Sequence, residues 1–543
     1  MSKQQKLNRR SILQTGLAAA ALPWLPAGRI LAAEKDEVRK PRDRSLFLFA
    51  DWFHVKKGDL QVTLDPERIS PEGKKLLETY SRDFQKHFEQ GNHGFKPTDI
   101  PFGIRIVQEV AGRTQPWLVS DQPWEKSVTS PTVLYDEGRY RCWYSAALTG
   151  EPQKTTVDQG QVMEISGSAL AYAESQDGFS WTKPSLKIHS FQGSRANNLV
   201  SPFHNGGSVF RDDHGPSEER YKGFHFDELP KEESPASKSS MARYGLYGIT
   251  SPDGYHWKKH PKPLVRYFSD TVNIAAWDGL LEKYAGFFRH HLSGRTISRA
   301  ETADFWDWPE PEPLLYAGPL DSPAEDYYTN GYTHYPGEPQ LRLLFAAIYH
   351  RDEDSVDVRL AVSRDGRAFS WLSYEPIIKL GGAGQWDGGS LYAQPNLVQL
   401  PDGRLALPYD GYNTTHNEVW FKNFYKAYDS KSGIAWALWK NGRLAGIEAA
   451  HLGQFTTNSA RFDGKQIQIN SRTTGAGSVE IELRERGKAI EGFSFADCVP
   501  FRGDEIWVNS RWKDRQDLME LRGRNLELAV RLRTAKIFAF RFV

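Results

Sequence analysis

One short pattern returns four times along this chain, and it constrains the fold more than any other feature. It reads Ser175-Gln-Asp177-Gly178-Phe-Ser-Trp181, Ser251-Pro-Asp253-Gly254-Tyr-His-Trp257, Thr302-Ala-Asp304-Phe-Trp-Asp-Trp308 and Ser363-Arg-Asp365-Gly366-Arg-Ala-Phe369. Each copy holds a hydroxyl residue, an Asp two positions on and an aromatic six positions on. The copies start 76, 51 and 61 residues apart. Self-similarity at that scale marks an architecture built from repeated supersecondary units. Ser and Asp bond nearby backbone groups, Gly accepts a left-handed conformation and the aromatic packs back under the turn. The pattern is therefore scaffold, and its four acids, Asp177, Asp253, Asp304 and Asp365, are read as structural.

Between these turns lie five segments of matching layout, each a polar start, a short apolar strand and a second strand rich in aromatics. They begin at Trp124-Glu125, His204-Asn205-Gly206-Gly207, Asp270-Thr-Val-Asn273, Asp326-Tyr-Tyr-Thr-Asn330 and Trp386-Asp387-Gly388-Gly389, in steps of 80, 65, 56 and 61 residues. Four-stranded blades need about 40–60 residues each, so the spacing predicts an all-β chain with a five-bladed β-propeller over 121–432. Alternating runs such as Gln466-Ile-Gln-Ile469, Val479-Glu-Ile-Glu-Leu483 and Leu526-Glu-Leu-Ala-Val530 predict half-buried strands and a C-terminal β-sandwich over 433–543. One helical insertion is expected near the N-terminus within 34–120. It starts at Ser70-Pro71-Glu72, as cap, proline and acid, with Leu76, Leu77, Tyr80, Phe84 and Phe88 at helical spacing. A lone helix in such a chain is an outside insertion or an oligomer contact.

Charge narrows the partners. The 543 residues carry a formal charge of +1, and the first 33 hold five basic groups and no acid. The remainder has no electrostatic reason to bind nucleic acid or anionic membranes. Residues 1–33 combine Arg9-Arg10, a short apolar stretch over 16–25 and Leu31-Ala32-Ala33. That layout is too short to span a bilayer and reads as a cleaved twin-arginine-type signal, delivering a folded protein to the periplasm or outside the cell. No later run anchors the chain in a membrane. Cys142 and Cys498 fall in segments assigned to different domains and are expected as two separate thiols. No zinc-type Cys/His spacing, P-loop or dinucleotide-binding turn is present, so no cofactor is required. A Ca²⁺ or similar ion in a propeller channel has no fixed spacing and stays open.

The five starts, the Ser-x-Asp-Gly-x-x-Trp turns and the segments Asn197-Asn198, Tyr328-Thr-Asn330-Gly331, Gly492-Phe-Ser-Phe-Ala-Asp497-Cys498, Arg502-Gly503-Asp504 and Arg511-Trp512 resemble the five-bladed glycoside hydrolases of families 32, 43, 62, 117 and 130. They are most similar to an exported bacterial, planctomycete-type group that is family-32-like or family-43-like. The chain departs from family 32: the Asn-Asp-Pro-Asn-Gly opening, the Arg-Asp-Pro segment and the Glu-Cys pair are missing, which disfavours fructan or sucrose hydrolysis. The resemblance implies a carbohydrate substrate and hydrolysis of glycosidic bonds. A non-catalytic carbohydrate-binding propeller is the alternative, with phosphorolysis behind it.

Glycosidic cleavage asks for two carboxyl groups flanking the bond, one protonated and one charged. In a propeller, polar residues just before the inner strands converge at one mouth of the central funnel. Glu125, Asp270, Asp326 and Asp387 hold that position. Blade order makes Glu125 and Asp270 the acid/base pair and Asp326 a third carboxylate that raises the acid's pKa or holds a sugar hydroxyl. His204, Asn205, Asn273, Tyr328, Asn330, Trp386 and Asp387 are expected to bind the sugar, Trp386 by stacking and the amides and His204 by hydrogen bonds. No metal ligand set is expected.

Overall fold

The computed structural model describes residues 46–63, 70–77, 79, 94–151, 153–156, 162–165, 167–203, 206–230, 232, 240–418, 431–513, 515 and 517–543. The chain is nearly all-β, and its one described α-helix spans Pro71–Leu77. Ser70 caps that helix, its Oγ accepting from the Gly73 N–H at 3.0 Å. Tyr80, Phe84 and Phe88, like the proposed signal over 1–33, lie outside the described residues.

From residue 125 onward the strands pair locally into successive antiparallel sets. The first set is Glu125–Asp136, Arg139–Leu148, Ser168–Ser175 and Leu199–Ser201. The second is Val209–Arg211, Tyr221–Glu228, Tyr244–Ser251 and Lys258–Val265, and the third Ile274–Asp278, Lys283–His291, Arg295–Thr302 and Glu312–Leu315. An eleven-stranded sheet follows. It comprises a fourth set around Glu338–His350 and Ser355–Ser363 and a fifth around Ser390–Ala393, Leu405–Tyr412 and Ser432–Trp439. A single parallel pair, Val356 with Ser390, joins the two.

Each repeated turn follows the third strand of its set, and its polar groups do what the pattern requires. Ser175 Oγ accepts from Gly178 N at 2.8 Å, and Asp177 Oδ1 accepts from Phe179 N and Ser180 N at 2.8 and 2.7 Å. Trp181 Nε1 reaches back to Gly178 O at 3.1 Å. Ser251 and Asp253 make the same bonds, as do Ser363 and Asp365. Thr302 and Asp304 make a reduced version. Those backbone N–H donors hold the Asp177 carboxyl down at about 2, which suits a structural acceptor.

The turns also fasten one set to the set before it. Trp143 Nε1 and Arg141 Nη2 of the first set donate to Gly254 O and Asp253 O of the second-set turn at 2.6 and 2.5 Å. Phe305 of the third-set turn packs on Phe210 and Phe224 of the second set. Asp278 of the third set pairs with Arg342, which also donates to Arg364 O beside the fourth-set turn. Trp436 of the fifth set donates to Gly178 O of the first at 2.8 Å. The sets thus follow one another in a ring that returns to its start.

Closure comes from residues ahead of the first set. Gly112–Arg113 and Leu118–Val119 pair with the free edge of Ser432–Trp439. That strand bonds Leu405–Tyr412 along its other edge. The expected division at 432/433 therefore falls at the start of a strand that belongs with the ring, and 112–119 belongs with it too. Pairing across some 320 residues leaves no periodic trace in the sequence.

Of the remaining strands, some form two-stranded pairs and eight build a sheet on the long strands Ile467–Glu485 and Asn525–Phe542 with Ala445–Thr456. Leu46–Leu48 and Arg105–Gln108 join it from the N-terminal end of the described chain. A register shift between Thr473 and Ser478 bends the sheet over an apolar core that includes Phe49, Phe455, Trp512 and Phe540. Residues 45–543 form one compact unit. Buried Arg443 ties the ring to this sheet through Asn470, Asp504 and the Glu505 carbonyl.

Gly254 tests the fastening. Its φ is +80°, and an added Cβ would lie 2.5 Å from Trp143 Cζ2 and 2.8 Å from Arg141 Nη2. Gly138 has a similar φ of +77° with open space around it. Gly254→Ala is expected to cost about 2–4 kcal/mol and Gly138→Ala about 1 kcal/mol, read as denaturant midpoints. Equal losses would show that the turn does not lock neighbouring sets.

Candidate functional site

Residues from all five sets line two cavities. One, of about 320 Å³, is lined by Thr129, Ser130, Gly206, Asp270, Thr271, Tyr328, Tyr392, Gln394, Asp410 and His416, among others. The other, of about 670 Å³, is lined by residues including Leu134, Ile274, Tyr332 and Leu397. The first is polar and carries two carboxylates; the second carries no acid or base other than His334.

Two β-bulges aim side chains and donors into the polar cavity. In Glu125–Asp136 the register slips between Thr129 and Thr132. Ser130, at φ +50°, turns its N–H toward the Asp410 carboxylate at 3.3 Å. A second slip between Tyr327 and Thr329 leaves Tyr328 unpaired with its ring on the cavity. Bulges beside ligand sites commonly re-aim side chains in this way, and a non-glycine residue in the left-handed region signals a conformation held by its surroundings.

The two carboxylates have contrasting environments. Asp270 is half exposed and pairs with buried Arg289, whose other amine donates to Tyr328 O at 3.0 Å. Asp410 is buried and has no cationic partner among the described residues. Gln394 Nε2 at 2.6 Å and Ser130 N at 3.3 Å both donate to its Oδ1. Burial dominates those hydrogen bonds and pushes the Asp410 carboxyl up to about 7. Both of these N–H donors go to Oδ1, which favours Oδ2 as the oxygen that carries the proton of the acid form. Asp410 was not among the residues expected from sequence. Its signal was present as a single acid inside the buried run Leu405–Tyr412, where an unpaired charge is costly.

The other expected residues are distributed differently. Asp270 and Tyr328 line the cavity. Glu125 does not: its side chain is fully buried and accepts from Lys183 Nζ and Tyr144 OH, each at 2.6 Å. Asp326 is held by Arg295 at 2.9 Å and by Arg351 at 2.8 Å. Asp387 pairs with Arg113 at 2.5 Å and accepts from Tyr409 OH at 2.9 Å, so it ties the closing strand to the fifth set. Trp386 stacks on Tyr409 against the apolar core there. Asn273 is buried, its amide donating to the carbonyls of Gly206, Ser269 and Thr271. Asn330 is buried with its amide 3.5 Å from Val272 O. His204 and Asn205 lie outside the described residues. The inner strands begin at different distances from the cavity. In the first set Glu125 precedes the cavity-lining Thr129 by four positions, so equivalence of strand starts does not mean convergence of side chains.

Cys142 and Cys498 are both free. Among the described residues no group of three His, Cys, Asp or Glu side chains is arranged to hold a metal. No described helix is long and apolar enough to cross a membrane.

No protein-family model and no curated protein matches this sequence. Among solved structures, one described as a glycoside hydrolase is 12% identical over 61% of this chain and 92% of its own, with a TM-score of 0.44. An N-acetylgalactosamine deacetylase from F. plautii in complex with blood group B trisaccharide is 15% identical over 62% and 96%, at 0.39. The α-L-arabinofuranosidase of Podospora anserina in complex with cellotriose is 12% identical over 61% and 96%, at 0.37. At these identities and TM-scores the function has to be argued from the site.

Asp410 makes a pH signature. A carboxyl raised from about 3.8 unfolded to about 7 folded favours folding fully below the lower value and loses that contribution as pH climbs through the higher. Asp410→Asn has no such titration. Its stability relative to wild type is expected to rise between pH 4 and 8, by at most about 4 kcal/mol, in denaturant melts at the two pH values. A gap independent of pH would mean that Asp410 is not held in its acid form.

Proposed function

We propose that this protein is an exported glycoside hydrolase. In this reading the five sets are the blades of a five-bladed propeller, the C-terminal sheet is a β-sandwich, and the polar cavity at the channel mouth takes the sugar. Asp410 facing the same cavity as the salt-bridged Asp270 is the observation that carries the reading. Two carboxyls whose surroundings push their proton affinities apart are what glycosidic cleavage needs. Asp410, protonated on Oδ2, donates to the leaving glycosidic oxygen. Asp270, accessible and paired with Arg289, supplies the negative charge that activates water or attacks the anomeric carbon. Tyr328 lines the same cavity, its ring flanked by Arg289 and Arg295. Glu125, Asp326 and Asp387 are assigned to the scaffold, because each is buried as well as bonded to a cation, whereas the paired Asp270 stays half exposed on the cavity. Arg9-Arg10 and the short apolar stretch behind it support delivery of the folded chain to the periplasm or beyond.

The test is reducing-end release by the purified protein across a panel of polysaccharides and aryl glycosides. Asp270→Asn and Asp410→Asn should each lose about 10²–10⁴-fold in kcat while staying folded. Glu125→Gln should keep turnover and melt at lower temperature, because buried Lys183 then keeps only the exposed Asp121 as its charge partner. Wild-type kcat/KM should fall as pH rises through about 7, where Asp410 gives up its proton. Sugar binding without cleavage on the whole panel would favour a carbohydrate-binding propeller, and an active Asp410→Asn variant would remove the assigned acid.

A further inference from the structure

The cavity wall between the fourth and fifth sets carries a histidine that the two carboxylates leave unused. His416 follows strand Leu405–Tyr412 and lies in a turn over 416–418. Its ring is nevertheless tightly placed, with centroids 4.5 Å from Tyr328 and 4.9 Å from Tyr349. Nδ1 lies 2.7 Å from Tyr392 OH. Nε2 has no partner among the described residues, and the ring borders the cavity.

The placement comes from the neighbouring set. Asp354 sits between Glu338–His350 and Ser355–Ser363 in the left-handed region, at φ +57°. Its carbonyl accepts from His416 N at 2.9 Å. Its Oδ1 accepts from Tyr349 OH at 2.9 Å and Asn417 Nδ2 at 2.7 Å. Its Oδ2 accepts from Thr415 Oγ1 at 2.6 Å and Asn417 N at 2.9 Å. One aspartate thus grips the residues on both sides of His416. Such a cradle on a short irregular stretch packs little apolar surface, and its product is the fixed orientation of one imidazole.

We propose that His416 binds the substrate by donating a hydrogen bond from Nε2 to an oxygen of an uncharged sugar unit, and that Asp354 is its positioning residue. This rests on the polar cavity being the sugar site. The groups facing the ring support a neutral imidazole of that tautomer. Burial, then the charge of Arg295, push His416 down to about 4, Asp354 opposes the shift and Arg289 adds to it. Burial keeps the Tyr392 hydroxyl protonated far above its ordinary range. We take the protonated Tyr392 hydroxyl as donor to Nδ1, which leaves the ring proton on Nε2. Arg289 and Arg295 already pair with Asp270 and Asp326. This wall accordingly presents a neutral donor and suits a hydroxyl or ring oxygen better than a carboxylate.

The experiment uses the full chain labelled with ¹⁵N-histidine, with long-range ¹⁵N–¹H spectra assigned by loss of one signal in His416→Ala. Wild type should show the neutral Nε2–H form from pH 8 down to about 5. The Thr415→Val/Asn417→Ala variant, which loosens the stretch and keeps the Asp354 charge, should raise the titration toward the ordinary histidine value and mix the tautomers. Tyr392→Phe should shift the population toward Nδ1–H. An Nδ1–H ring in wild type, or a protonated one at pH 6, overturns the proposal. Added neutral monosaccharides should move the Nε2 resonance and the matching uronates should not. Movement by uronates alone, or by neither, also overturns it. On any glycan that wild type cleaves, the loosened variant should raise KM roughly tenfold with the pH midpoint unchanged; a fall in kcat with KM unchanged would remove the binding role. If no glycan is cleaved, hydrolysis fails as a function, while the spectra still decide the roles of His416 and Asp354.

Discussion

A ring of sheets holds only if its last member bonds to something that precedes the first. Here that bond is the pairing of Gly112–Arg113 and Leu118–Val119 with the edge of Ser432–Trp439. It satisfies a strand edge that would otherwise be exposed for pairing with another chain. Arg113 on the closing strand also meets Asp387 of the fifth set, so an ion pair and a backbone ladder secure the same seam. The seam has a second consequence. Asp410 lies on the strand next to Ser432–Trp439, and its Oδ1 is reached by Ser130 N of the first set. The Asp410 carboxyl thus sits where the first and fifth sets meet, and burial there outweighs the Ser130 hydrogen bond that opposes the rise.

The four acids at the strand starts show how a buried charge is managed. Glu125, Asp326 and Asp387 are each withdrawn from water and each bonded to a lysine or arginine, with Tyr144 or Tyr409 hydroxyls completing two of the sets. Breaking one of these pairs would strand a charge in the interior. Asp270 differs by staying half open to the cavity while bonded to Arg289, and Asp410 differs by having no cation bonded to it among the described residues. A scaffold that both buries and pairs most of its inward carboxylates makes the accessible Asp270 and the unpaired Asp410 conspicuous.

Much of the fold could be read along the chain because the turn pattern acts over three to six residues. Ser175, Asp177 and Trp181 bond within their own turn, so each copy announces itself wherever it occurs. The apolar strands between the copies are equally local. The site was legible only in part. Asp270 and Tyr328 stand at the cavity, as strand-start counting expects. Glu125 misses because its strand runs four further residues before reaching the cavity. Asn273 misses because three backbone carbonyls claim its amide first. The length of the N-terminal helix rests on residues outside those described.

By itself the sequence determined a nearly all-β chain, its recurring sets and the structural standing of Asp177, Asp253, Asp304 and Asp365. All of these follow from interactions between near neighbours. The tertiary structure alone decided that Asp410 is the buried acid, that residues 112–119 close the ring and that Asp354 holds His416. Asp410 depends on an N–H 280 positions away, and His416 on a carboxylate more than sixty positions away. Burial and charge at a point are sums over everything nearby in space, and no pattern along one strand carries that sum.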